Sequence, residues 1–251
     1  MNQSLWIAKT GLDAQQTKLS TIANNLANAS TAGFKKSRAV FEDLLYQNVR
    51  QVGAQSSADT QLPSGLKSEV DLSVGQMQTT GNPLDVAING EGYFVIEDAG
   101  GGLAYSRRGD FRVDQNEFLT DGAGNRVLGQ GGPINIPPYS EINVGVDGTI
   151  SLRPIGGEAA ELVEIGRLQL VQTEPGQVLS KTPDGLLRSP VALFESPEVK
   201  VVSGALEGSN VNVVESLVTM IDLARRFETQ VKLMQSAEEN RNSLNQVMRL
   251  N

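Results

Sequence analysis

Residues 213–250 read VVESLVTMIDLARRFETQVKLMQSAEENRNSLNQVMRL, and their spacing sets the expectation for the fold. An apolar stripe runs through Leu217, Met220, Ala224, Phe227, Val231 and Met234 in alternating steps of three and four. That is the period of one helix face. Glu238 and Arg241 interrupt the stripe before Leu244 and Met248 resume it. Asn212 stands in the N-cap position with Glu215 at N3, an Asn variant of the capping box. At 1.5 Å per residue such a helix reaches roughly 57 Å. No small domain needs that length, so the helix demands a partner along it.

The other end of the chain offers one. In residues 4–28, Leu5, Leu12, Leu19 and Leu26 recur every seven residues. Ala8, Ile22 and Ala29 follow three places on, with Gln15 the polar interruption. This is the narrow seam of a coiled coil rather than a broad amphipathic face. Ser30-Thr31-Ala32-Gly33 then stops the helix, with Gly33 free to take a positive φ. The reading is therefore an α+β fold. Paired long N- and C-terminal helices form a coiled-coil-like rod domain, with an inserted all-β module and an extended linker or hairpin. Its expected parts are residues 1–30 plus 212–251 as helical core, 31–80 as linker and 81–206 as outer β-module. The expected assembly interface is Leu5, Leu12, Leu19, Ile22, Leu26, Leu217, Met220, Ala224, Phe227, Val231, Met234, Leu244 and Met248.

Between the ends the pattern changes. Residues 34–45 have mixed periodicity, and residues 51–68 are rich in Gln, Ser, Thr, Gly and Pro, as in an extended loop. From residue 82 short apolar runs alternate with turn signals. Asp85-Val86-Ala87-Ile88 precedes Asn89-Gly90, a hairpin turn pair, and Tyr93-Phe94-Val95-Ile96 follows as a strand. Asp121-Gly122, Asp147-Gly148 and Asp184-Gly185 mark further turns. Pro133, Pro137 and Pro138 confine their segment to an edge or a crossover.

Composition narrows the function. The 251 residues contain no histidine and no cysteine. The commonest general base, the commonest metal ligand and every thiol nucleophile are therefore missing. Net charge is −8, which disfavours nonspecific nucleic-acid binding. Residues 1–38 carry +4 and residues 213–251 carry zero, leaving −12 for residues 39–212. No stretch approaches the roughly 20 apolar residues of a membrane span, so no membrane insertion is expected. The start of the chain lacks a signal-peptide pattern.

No catalytic constellation emerges, and no cofactor or metal is expected. Gly90-Glu91-Gly92 and Gly129-Gln130-Gly131-Gly132 read as turns rather than phosphate loops, since neither opens a helix. Asp110, Asp114 and Asp121 are weak calcium candidates, because strand-like residues separate them. Lys35-Lys36 with Arg38 is the basic cluster, read as a polar helix end or an inter-subunit contact.

Four stretches carry a family likeness. Residues 23–35, ANNLANASTAGFK, resemble the N-terminal signature of bacterial flagellar rod and hook proteins. Residues 206–215, LEGSNVNVVE, resemble their C-terminal signature. Residues 85–95, DVAINGEGYFV, and 104–114, AYSRRGDFRVD, are similar to the start of their β-domain. Residues 4–66 look strongly like the distal-rod branch of that family. The likeness from residue 70 onward, through VGQMQTTGNPLDVAI, GGPINIP and GRLQLV, leans to the proximal-rod branch. Asn116-Glu117 stands where relatives more often place a glycine turn.

The resemblance implies a non-enzymatic structural subunit of the basal-body rod, a hollow shaft that transmits torque and houses an export channel. It implies other rod subunits, proximal and distal, and further copies of itself as partners. It implies delivery by the flagellar type III export apparatus, without a cleaved signal peptide, to a rod that spans the periplasm. Two other classes stay open: a wall-cutting module and an adhesin-like binding module.

Overall fold

The computed structural model describes residues 3–41, 66–155, 162–174, 176–182 and 184–249. Among them stand two helices, α1 (Gln3–Ala27) and α2 (Val213–Arg249). Between the helices the regular structure is strand. The strands are β1 (Ser37–Phe41), β2 (Leu66–Val70), β3 (Met77–Thr79), β4 (Val86–Asn89), β5 (Tyr93–Glu97), β6 (Leu103–Ser106) and β7 (Arg112–Val113). They continue with β8 (Leu119–Thr120), β9 (Arg126–Gly129), β10 (Gly132–Pro133), β11 (Tyr139–Val144), β12 (Thr149–Pro154) and β13 (Val163–Arg167). The last are β14 (Leu170–Gln172), β15 (Ser180–Lys181), β16 (Leu187–Arg188), β17 (Phe194–Glu195), β18 (Lys200–Ser203) and β19 (Ala205–Glu207).

The described residues fall into two compact units. The first gathers those of 1–27, 37–69 and 212–251; the second, the β-body, gathers 28–36 and 70–211. In the first unit β1 pairs with β2. Asn25 is buried on α1 and braces the start of β1: its Nδ2 donates to Ser37 O (2.8 Å) and its Oδ1 accepts from Ser37 N (2.9 Å). Asn212 caps α2 as its sequence predicts, accepting from Glu215 N at 3.2 Å.

The expectation of a fold built on paired long helices in a coiled-coil-like rod domain is corrected by this architecture. The chain is α+β only loosely, with most of its elements in sheets. The helices touch where Gly11 faces Gln230, but no a/d seam is sealed. Among the described seam positions, Leu12, Leu19, Ile22 and Leu26 on α1 and Met220, Ala224, Phe227, Val231 and Met234 on α2 are only half-buried, and Leu217 is exposed. The physical reason lies in the residues between the leucines. Ala, Gln, Thr and Asn leave too little apolar area for two helices to close a seam.

The β-body is organised by β5. Its continuous apolar run marks a strand covered on both faces, and alternate residues enter two clusters. Phe94 and Ile96 join Ile88, Leu119, Ile150 and Leu152 in the larger one. Tyr93 and Val95 join Tyr105, Val171 and Leu187 in the smaller. Phe94 meets Phe111 edge-on, centroids 5.0 Å apart. The main sheet runs β15-β16-β6-β5-β9-β8-β7, all antiparallel, with β10 on β9, β14 on β5 and β17 on β14. Separate small sheets are β11-β12-β13, β4-β18 and β3-β19.

The turn pairs at Asp147-Gly148 and Asp184-Gly185 close hairpins between β11 and β12 and between β15 and β16. Asn89-Gly90 does not. The strands on either side of it are not paired: β4 pairs with β18, placing Ile88 opposite Val201, whereas β5 pairs with β6, β9 and β14. Gly90 and Gly92, both at positive φ, turn a corner between sheets instead. A distant strand, not the local dipeptide, chose the partner.

One turn device recurs three times. A single carboxylate oxygen of Asp98, Asp114 or Asp121 accepts the backbone N–H groups two and four residues ahead, at 2.8–2.9 Å. These backbone donors hold the Asp98 and Asp114 carboxyls below the usual range. In the Asp114 turn Glu117 takes φ +65, the one positive value among described non-glycine residues. A left-handed L-residue costs about 1–2 kcal/mol. Glu117→Gly should therefore stabilise the protein by ~0.5–1 kcal/mol after glycine's entropy cost. A urea titration checks this; a lowered midpoint would count against the strain.

Candidate functional site

The expected assembly residues are distributed as follows. Leu12, Leu19, Ile22 and Leu26 on α1, and Met220, Ala224, Phe227, Val231 and Met234 on α2, are half-buried. Leu217 is exposed. The side chains of Leu5, Leu244 and Met248 lie outside the described residues, as do residues 42–65, which hold most of the expected extended loop. Beside Leu217 the structure exposes Val213, Val214, Val218 and Ile221. At 213, 214, 217, 218 and 221 these residues form a second apolar row on α2, of which the predicted stripe holds Leu217 alone.

The most constrained polar site is in the β-body, where both terminal signatures meet. Lys35, Arg107 and Glu207 are each more than nine-tenths buried. Glu207, ending β19, binds both cations. Its Oε1 accepts from Lys35 Nζ at 2.6 Å and from Gly75 N at 2.9 Å, and its Oε2 accepts from Arg107 Nη1 at 3.2 Å. Lys35 Nζ also donates to Ser73 O at 2.7 Å. Arg107 donates through Nη2 to Gly90 O at 2.6 Å and lies 5.3 Å from the centre of the Tyr93 ring. Burial pulls the Lys35 ammonium below its ordinary value, and the bond to Glu207 opposes that shift only in part.

The backbone around the cluster is equally fixed. Gly33, at φ +65, donates to Glu207 O at 2.7 Å. Asn210 bridges the two signatures through its N–H, which donates to Phe34 O; its Oδ1 accepts from Lys36 N, and its Nδ2 reaches Asp71 O and Ser73 O. Lys36 pairs with Asp71 at 3.5 Å. The reading of Lys35-Lys36-Arg38 as a polar helix end or an inter-subunit contact is therefore corrected for Lys35. It is consumed inside its own chain.

The weak calcium candidates resolve into separate local roles. Asp110 binds Arg108 in a two-point pair, while Asp114 and Asp121 each cap their own turn. An open polar cavity of about 510 Å³ lies beside Asp110, between Ser30–Ala32 and Arg112. No group of three acidic side chains with metal-holding geometry is found among the described residues.

Three family descriptions match the chain. Residues 5–35 match "Flagella basal body rod protein", residues 87–152 match "Flagellar hook protein FlgE/F/G D1 domain", and residues 202–247 match "Flagellar basal body rod FlgEFG protein C-terminal". The flagellar basal-body rod protein FlgG of Buchnera aphidicola subsp. Schizaphis graminum is 40% identical over 265 residues, covering 98% of this chain and 100% of that one. The chain belongs to the flagellar basal-body rod family. The rod proteins FlgF of Salmonella typhimurium and of Escherichia coli K12 are 35% and 34% identical, each over 99% of both chains.

The rod-family signatures now have physical content. In the N-terminal one, Asn25 braces β1, Gly33 supplies the left-handed turn, and Lys35 reaches Glu207. In the C-terminal one, Glu207 pairs with two cations, Asn210 bridges the segments, and Asn212 caps α2. Sequence reasoning missed the Lys35–Glu207–Arg107 cluster. The available signal was the presence of ionisable residues inside both signature runs.

Proposed function

We propose that this rod-family chain builds the flagellar rod through the exposed apolar row on α2, packing against neighbouring copies and other rod proteins. The observation that carries this reading is the row itself. Val213, Val214, Leu217, Val218 and Ile221 lie bare to solvent on a described helix, and a row of that kind marks an interaction surface. The half-buried positions Leu12, Leu19, Ile22, Leu26, Met220, Phe227 and Met234 would gain further cover in the same assembly. So would Ala224 and Val231, and the proposed interface also takes in Leu5, Leu244 and Met248. The proposed role is structural rather than catalytic: a segment of a hollow, torque-transmitting shaft around an export channel. Delivery would be by the flagellar type III apparatus.

Within the rod we place the chain in the proximal, FlgF-like position. The likeness of the chain from residue 70 onward to the proximal branch supports this, and Salmonella FlgF aligns over 99% of both chains. The higher identity to FlgG favours the distal position instead. Cross-linking from residues 51–68 in assembled basal bodies separates the two: capture of distal subunits supports the proximal placement, and capture of self alone along a long polymer rejects it. For the row itself, Val214→Asp with Val218→Asp should abolish incorporation into basal bodies while the monomer keeps its circular dichroism. Normal incorporation of that double variant would remove the row from the interface.

A further inference from the structure

Phe34 is buried, yet it belongs to neither apolar cluster of the β-body. Its ring is covered by the ammonium of Lys181, 3.3 Å from the centroid. The other contacts described for Gly33–Lys36 are polar. Gly33 N donates to Glu207 O, Asn210 N to Phe34 O (3.3 Å), Asp71 N to Lys36 O (2.9 Å), and Lys36 N to Asn210 Oδ1 (2.7 Å). The segment is thus fastened onto the β-body by individual bonds rather than by shared apolar packing. Fastenings of that kind open at a lower free energy than a core does.

Lys181 sits on β15, in a hairpin whose two strands have two residues each. Its Nζ donates to Lys35 O at 2.6 Å. Among the described residues it has no carboxylate partner, and the neighbouring charges are already committed. Glu207 holds Lys35 and Arg107, Asp71 holds Lys36, and Asp98 holds Arg188 on the facing strand. We infer that Gly33–Lys36 is a strap that opens and closes on the β-body independently of the two apolar clusters, and that the Lys181 ammonium sets how tightly it closes.

Closing the strap takes a cation out of water without giving it an anion. The carbonyl bond and the Phe34 ring return only part of the lost hydration. Burial alone draws Lys181 from 10.5 down to about 8. The open strap therefore holds that proton more tightly than the closed one. Raising the pH through this window favours closure, and Lys35, lowered first by burial, acts in the same direction. At neutral pH the strap is kept releasable. Because the strap follows α1 in the chain, its opening would free the residues that lead out of that helix while both clusters stay folded.

Amide hydrogen exchange on the full chain tests this. The reporters are the amides of Gly33, Asp71 and Asn210, compared with those of Val95 and Leu119 in the clustered strands. At pH 7 the three strap amides should exchange at least ten-fold faster than the two core amides. After correction for intrinsic exchange, strap protection should rise roughly ten-fold between pH 7 and pH 9. Lys181→Met keeps the carbon stem over Phe34 and removes the charge. It should raise strap protection at pH 7 to near the parent's pH 9 level and flatten the rise. Two outcomes overturn the inference: strap amides that exchange in step with Val95 and Leu119, or a Lys181→Met profile that matches the parent at both pH values.

Discussion

Glu207→Gln should destabilise the β-body by about 3–5 kcal/mol, the usual cost of leaving a buried charge without its counter-ion. The effect is large because one carboxylate serves two buried cations and one backbone N–H. Glutamine can still accept from Gly75 N, but it brings no charge to Lys35 or Arg107. Its amide N–H₂ would also point a donor at one of those donors. Lys35→Met is the informative contrast. Glu207 then keeps Arg107 and Gly75 N, so the loss should be smaller, about 1–3 kcal/mol. Urea unfolding followed by near-ultraviolet circular dichroism, which reports Tyr93 beside Arg107, ranks the two variants. If Lys35→Met costs more than Glu207→Gln, Glu207 is not the hub of the cluster.

Gly33→Ala should cost ~2–5 kcal/mol, from two sources that act together. The left-handed backbone at φ +65 charges an L-residue about 1–2 kcal/mol. A Cβ built there would also lie 2.3 Å from the carbonyl carbon of Arg107. Relieving that overlap means moving backbone, at a further ~1–3 kcal/mol. Gly124→Ala isolates the first source, since Gly124 is at φ +92 with nothing within 4 Å of the added Cβ. It should cost about 1 kcal/mol. Thermal unfolding of both variants measures the difference. Equal losses would mean that Gly33 is needed only for its conformation, not for the close approach to Arg107.

Features set by local chemistry were legible in the sequence. The α2 start at Asn212, the positive φ of Gly33 and the strand character of residues 93–96 each depend on a few neighbouring residues. The helical ends were overweighted because a 37-residue helix leaves a strong periodic signal, whereas strands of two to six residues leave almost none. The second row on α2 is harder to see because it runs only from Val213 to Ile221, beside the longer stripe. The ionic cluster was hidden for a different reason. Lys35 and Glu207 are 172 residues apart, and each looks like an ordinary surface residue among its neighbours. Asn89-Gly90 misled in the opposite way, since its local preference was overruled by the distant partner β18.

The double-sided burial of β5 has a mechanical consequence. Tyr93 and Val95 anchor one cluster while Phe94 and Ile96 anchor the other. Both clusters hang on the same five residues of backbone, so neither can loosen without pulling on the other. Such a body should melt in a single transition and yield little under twist. In the proposed torque-transmitting role that stiffness would matter, because elastic slack inside each subunit would accumulate along a stack.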